Sequence, residues 1–174
     1  TDEEVLETIS ENKEKVPEKK SKSGIIVKGL YDVAVHFSKC CSPVPGDEIV
    51  GFVTRGRGVS IHRTDCINII NLSDMERERL IDAEWQHDEE SGSSGLYLAE
   101  IKVFCNNRTG LLVDITRAFT EREIDINAIH SKTSKQGIAT IDISFNTKGK
   151  AELTSVIDKL RQIDSIIDIE RTTG

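Results

Sequence analysis

The sequence predicts an α+β protein made of two small units in series: a small α/β module over 25–86 and a βαββαβ unit over 96–174. Three observations carry this. Residues 87–95, HDEESGSSG, form an acidic and then Gly/Ser-rich linker. Beyond it the apolar period alternates between 2 and 3.6 in the order strand, helix, strand, strand, helix, strand. Before it, the stretch from His36 to Cys66 holds three of the four cysteines and two of the four histidines, with a Pro/Gly elbow and an Arg/Gly hairpin between them.

Each element follows from local pattern. Asp2 can cap a helix over 1–15 whose Val5, Leu6 and Ile9 share a face. So short a stripe needs a partner to pack against, which points to a fragment of a longer chain. Pro17 ends the pattern, and the lysine-rich run to residue 24 reads as a linker. Ile25–Lys28 opens the first compact unit, and strands are expected through Val33–Phe37, over 49–54 and over 59–62. Arg55-Gly-Arg-Gly58 supplies the turn of a hairpin. Thr64 or Asp65 can cap a short helix carrying Cys66, Ile67, Ile69 and Ile70, and Ile81–Trp85 closes the unit. In the second unit Ile101, Val103 and Cys105 alternate, and Leu111, Leu112, Ile115, Ala118 and Phe119 fall at helical spacing. A strand over 123–133, a turn at Gly137 and a strand through Ala139, Ile141, Ile143 and Phe145 follow. Leu153, Val156, Ile157 and Leu160 mark a second amphipathic helix before a last strand at 166–171. One-sided helices and strands in this order predict a ferredoxin-like sheet with both helices on one face. The two units are expected to be independent globules in series, joined by a linker over 87–95 that permits swivelling.

Composition narrows the function. Charged residues make up 30% and aromatics 5%, which suits small Ile/Val/Leu cores. No stretch is long and apolar enough to span a bilayer, and no signal-peptide pattern is present. A cytosolic protein with no membrane partner is expected, its cysteines free or on a metal. The net charge of −7 hides an uneven distribution: residues 19–63 carry eight bases and three acids, and residues 65–90 carry nine acids and two bases. A locally positive segment can hold a polyanion even in an acidic chain.

Three groups of residues can carry chemistry. Cys40, Cys41, His62 and Cys66 have the donor types of a tetrahedral structural Zn²⁺ site. Adjacent cysteines point opposite ways in an extended chain, so a turn is required, or else one of them ligates and His36 takes the fourth position. The bland alternative makes Cys41 and Cys66 small core residues. Second, Arg55, Arg57 and Arg63, with Lys28 and Lys39, can grip RNA phosphates beside glycines that allow close approach. The bland alternative is a solvated hairpin tip. Third, the turn Asn106-Asn107-Arg-Thr-Gly110 at a helix start can seat a carboxylate, with Asn107 and Asn127 binding an amino acid and Leu111 and Leu112 facing its side chain. The bland alternative there is a helix cap. His87-Asp88 has no companion ligands in its linker, and there is no P-loop or nucleophile–base pair, so no active site is expected.

The run KGLYDVAVHFSKCCSPVPGDEIVGFVTRGRGVSIHRTDC resembles the zinc-finger-like RIS module in the regulatory half of long RelA/SpoT-type enzymes, and residues 96–174 resemble the ACT domain that ends them, with NRTGLL at its strand-to-helix turn. The resemblance implies a non-catalytic regulatory region of an enzyme that makes and often degrades (p)ppGpp. Residues 1–18 would then be the end of the preceding helical domain, and the catalytic half of the same parent would be one partner. It further implies contact with ribosomal RNA near the A-site, a homodimer through the ACT domain, and a branched-chain amino acid at Asn107, Gly110 and Asn127. Thr109 stands where many ACT domains carry proline. The competing expectations are a stand-alone ACT-type amino-acid sensor that does not bind RNA, and a redox or metal switch at Cys40 and Cys41.

Overall fold

The computed structural model describes residues 24–29, 33–86 and 95–172. The expected helix over 1–15, most of the lysine-rich linker, and His87 and Asp88 lie outside the described residues.

The first unit runs β1 (Ile25–Val27), β2 (Val35–Phe37), β3 (Ile49–Val53), β4 (Val59–Arg63), α1 (Ile67–Ile70), α2 (Asp74–Arg77) and β5 (Leu80–Trp85). The sheet order is β1-β5-β3-β4-β2; all pairings are antiparallel except β2 with β4. Alternation splits its side chains between two faces. Ile25, Val27, Val59 and Ile61 pack with Phe37, Ile49 and Trp85 on one. Val50 packs with Cys41, Cys66, Ile69 and Leu80 on the other. At Gly51 an added Cβ would meet side-chain carbons of Val59 at 2.8 Å and Ile81 at 2.9 Å, so the central strand has room only for glycine.

Two local expectations need correction. Neither Thr64 nor Asp65 caps α1; Cys66 occupies the cap position without a side-chain hydrogen bond, because Asp65 is engaged by Arg63. The short α2 was not expected. Ser73 and Glu76 form a reciprocal capping box there, but so short a helix with no buried residue leaves no apolar stripe to find.

The second unit runs β6 (Tyr97–Asn106), α3 (Leu111–Thr120), β7 (Ile126–Thr133), β8 (Ile138–Thr147), α4 (Lys150–Arg161) and β9 (Ile166–Arg171), in the antiparallel order β7-β8-β6-β9. This is the ferredoxin-like arrangement. Ile101, Val103, Ile141, Ile143 and Phe145 from the sheet meet Ile115, Phe119, Leu153, Val156 and Leu160 from the helices. The strand expected from residue 123 begins at Ile126, because Glu123 takes φ 55° to end the turn after α3 and Ile124 N–H donates to Phe119 O.

The units are not two independent globules. The loop after the paired cysteines inserts into the second unit, where Val44 is completely buried in the ferredoxin-like core. Burying such a side chain contributes about 1.5–3 kcal/mol. Pro45 O accepts the backbone N–H of Lys150 at 2.7 Å, satisfying the first amide of α4, which has no intrahelical partner. Arg171 grips Asp47 with two bonds of 2.7 and 2.9 Å and also donates to Ser42 O. Trp85 Nε1–H donates to Asp47 O, and Tyr97 meets both Phe37 and Trp85 edge-on at 5.6 Å.

The Asp47 side chain is 4% exposed, so removing its cation leaves a buried, unpaired carboxylate. Arg171→Met should therefore lose about 3–5 kcal/mol in urea unfolding followed by the fluorescence of the single tryptophan, Trp85. Lys102→Met removes an exposed pair at 3.9 Å and should change stability by less than about 1 kcal/mol. Equal, small losses in both would show that Asp47 does not depend on Arg171.

Candidate metal centre and the surfaces around it

A turn brings the paired cysteines together. Ser42 N–H donates to Ser38 O at 3.0 Å, and Ser42 takes the left-handed φ of 45°. In this coiled geometry the Cys40 and Cys41 side chains point to one region, which an extended chain would prevent. β4 brings His62 and the start of α1 brings Cys66. The sulfurs of Cys40, Cys41 and Cys66 and one imidazole nitrogen of His62 all lie within 4.8 Å of one another. Cys40 Sγ is 3.4 Å from both His62 Nδ1 and Cys66 Sγ, and Cys41 Sγ is 3.9 Å from His62 Nδ1. Tetrahedral zinc with Zn–S of about 2.3 Å separates its ligand atoms by roughly 3.5–3.8 Å, so the four donors fit the ion. His62 Nε2 lies 3.1 Å from Ser60 Oγ, which orients the ring with Nδ1 toward the sulfurs. His36 is exposed on β2 and is not part of the four-donor group.

The electrostatics favour a neutral imidazole and the thiol forms of Cys41 and Cys66. Burial, and then the charge of His36, lowers the His62 pKa. Burial pushes the Cys41 thiol up to about 12 and also raises Cys66. Burial acts the same way on Cys40, but hydrogen bonds from Ser38, Asn68, Cys66 and Cys41 outweigh it and lower that thiol. A cation entering here displaces the thiol protons. All four cysteines of the chain are free; Cys105 sits apart, buried on β6 with its sulfur toward Ala139 O.

Of the five basic residues expected to face RNA, the structure withdraws one. Arg63 is 5% exposed. Its guanidinium binds Asp65 through two bonds and donates to Cys41 O and Thr172 O, while its backbone N–H points at Cys41 Sγ. It is a buried strut beside the cysteines, with each of its three guanidinium nitrogens already bonded within the protein. Arg55 and Arg57 are exposed at the tip of the β3–β4 hairpin. Gly58 anchors that tip: its φ is 73°, and a Cβ there would lie 2.2 Å from Ala34 O. Lys28 leaves β1 toward the same end of the sheet, whereas Lys39 lies at the opposite end beside the cysteines. Arg79 was not expected. It stands at the hairpin end, bonded to Val53 O and 4.6 Å over the Phe52 ring, and its position across from the tip is set by the β3–β5 register.

The expected amino-acid pocket is not assembled within one copy. Asn107 lies at the β6 end beside Gly137, whose carbonyl accepts its N–H. Asn127 lies at the far end of the sheet, its amide exchanging bonds of 3.1 and 3.3 Å with Asn146. The β6–β8 register puts roughly eight residues, on the order of 27 Å, between these ends. Leu111 is 2% exposed in the core and cannot face a ligand, whereas Leu112 is 45% exposed. Gly110 holds φ 80° at the start of α3, and Arg108 braces the turn through Asp114 and Ser165.

No helix of the described residues is long and apolar enough to cross a membrane. The family profile described as the RelA/SpoT RIS domain matches residues 25–86, and one described as ACT domain matches residues 93–171. The chain is 38% identical to the GTP pyrophosphokinase of Escherichia coli K12 over 167 residues, which is 94% of this chain and 22% of that protein. It is 38% identical to the GTP pyrophosphokinase of Streptomyces coelicolor over 151 residues, 87% of this chain and 17% of that one. The chain thus spans about a fifth of the length of the relatives it matches. The solved ACT domain from the GTP pyrophosphokinase of Chlorobium tepidum is 27% identical with a TM-score of 0.40, covering 44% of this chain and 99% of that one. Both matched modules are regulatory and neither is catalytic. With a RIS domain followed by an ACT domain, the chain belongs to the RelA/SpoT family and corresponds to its C-terminal regulatory region.

Proposed function

We propose that this region reports ribosome and tRNA status to the catalytic half of a cytoplasmic (p)ppGpp synthetase/hydrolase. In this reading the RIS unit grips ribosomal RNA near the A-site, and the ACT unit pairs with a second copy and binds a branched-chain amino acid. The observation that carries the RNA role is the exposed Arg55-Gly-Arg57-Gly58 tip, held at a fixed angle by Gly58 under Ala34 O. Arginine forks suit phosphate oxygens, and glycines allow close approach of the backbone. Arg55→Glu with Arg57→Glu should weaken binding of A-site-region RNA and lower the slope of log affinity on log salt by about two. Unchanged affinity would take the hairpin out of the interface and favour the stand-alone amino-acid sensor.

Zn²⁺ at Cys40, Cys41, His62 and Cys66 would pin the turn, β4 and α1 together on the thin face of a small sheet, which is structural work suited to a closed four-donor site. The purified chain should carry about one equivalent of zinc, lost in Cys66→Ser and His62→Ala, and chelation should lower its melting temperature. Elemental analysis without zinc, together with four freely titrating thiols, would count against both a metal and a disulfide switch.

The open edge of the ACT sheet supports pairing. Among the described residues β7 has β8 as its one neighbouring strand, and all of β7 except Ile126 is exposed. Two such edges meeting antiparallel would bring Asn127 of one copy to the same end of the joined sheet as Asn107 of the other, so in this reading the pocket needs two chains. Calorimetry with valine or isoleucine should give heat that disappears in Asn107→Ala and in Asn127→Ala. Heat that is absent in the wild type, or identical after both changes, would remove the pocket.

A further inference from the structure

We propose that loading of the cysteine–histidine cluster and seating of the ACT unit on the RIS unit are one coupled equilibrium. The coupling rests on the reading of the cluster as a cation site and adds what that site controls. Its physical basis is that a single seven-residue segment, Cys41 to Asp47, serves both. At one end Cys41 supplies a donor sulfur. Three residues on, Val44 is fully buried in the ACT core. Pro45 O then caps Lys150 of α4, and Asp47 receives both arms of Arg171. The segment has little slack. Val44 N–H donates to the Asp47 carboxylate at 2.8 Å while Asp47 N–H donates to Val44 O at 3.0 Å, and residues 43 and 45 are prolines. Arg63 ties the same parts from the other side, with Cys41 O and the ACT residue Thr172 O on one guanidinium nitrogen.

Drawing Cys41 toward a shared ion therefore fixes the root of the plug whose tip lies in the second unit. Seating the plug in turn holds Cys41 where the other three donors converge. Such linkage is reciprocal: whatever factor docking adds to ion affinity, the ion adds to docking. An event at the RIS surface thereby reaches the C-terminal strand of the ACT sheet without passing through the 87–95 linker.

The test uses zinc alone and the whole chain. Competition with a chromophoric chelator should show Arg171→Gln binding zinc about tenfold more weakly than wild type, although Arg171 is not one of the donors. Independently, hydrogen exchange at the Lys150 amide reports docking directly, since its acceptor is Pro45 O in the other unit. Zinc should slow that exchange severalfold in the wild-type chain, a readout that stands even if Arg171→Gln fails to fold. Equal zinc affinities in folded wild type and variant, or a Lys150 amide indifferent to a demonstrably loaded cluster, would overturn the coupling and leave the metal site intact. A wild-type chain that takes up no zinc would instead overturn the cation site itself, and the coupling with it.

Discussion

The bidentate grip of Arg171 on Asp47 is the interaction on which the arrangement of the two units depends. Both partners are largely removed from water, and the carboxylate also accepts the Val44 amide, so charge and hydrogen-bonding capacity are satisfied together. A surface pair of this kind would contribute little. Here the desolvated geometry makes each group dependent on the other. Around it the loop finds a second class of stabilisation in the buried Val44 and a third in the aromatic contact of Phe37, Trp85 and Tyr97. The last residues of the chain described, Arg171 and Thr172, thus hold residues well over a hundred positions earlier.

The RIS unit is small, and its two apolar clusters lie on the two faces of a single sheet. The cluster on the cysteine side contains little beyond Cys41, Cys66, Ile69 and their neighbours. Under the proposed metal reading, cross-linking through sulfur and imidazole would supply order that so few methyl groups cannot. At the other end of the same sheet the hairpin is free of this demand and presents its arginines outward. The four donors and the exposed hairpin arginines therefore occupy opposite ends of one short sheet.

Much of this was legible from residue pattern. The strict alternation in 139–145 and the helical spacing of Leu153, Val156 and Leu160 led directly to the observed ferredoxin-like unit. The stripe Leu111, Ile115, Ala118 and Phe119 already placed Leu111 inward and left Leu112 outside, so assigning both to a ligand overlooked the helix's own phase. The convergence of Cys40 with Cys41 was not legible, because it depends on a left-handed Ser42 that no motif announces. The separation of Asn107 from Asn127 emerges only when strand register is known. The docking loop escaped for a different reason: Pro-Val-Pro-Gly-Asp reads locally as an exposed elbow, and its acceptor surface is built from Lys150 and Arg171, far along the chain.

Arg63 shows what such a reading risks in practice. A survey that neutralises every basic residue of the RIS unit would find Arg63 among the most damaging positions and would group it with Arg55 and Arg57. The cause would differ in kind, since its guanidinium is spent on Asp65, Cys41 O and Thr172 O. A phosphate contact often tolerates lysine, which keeps the point charge; a planar fork serving three acceptors does not. Charge-conserving replacement is accordingly the cheap way to separate side chains that meet a polyanion from one that merely holds the house up.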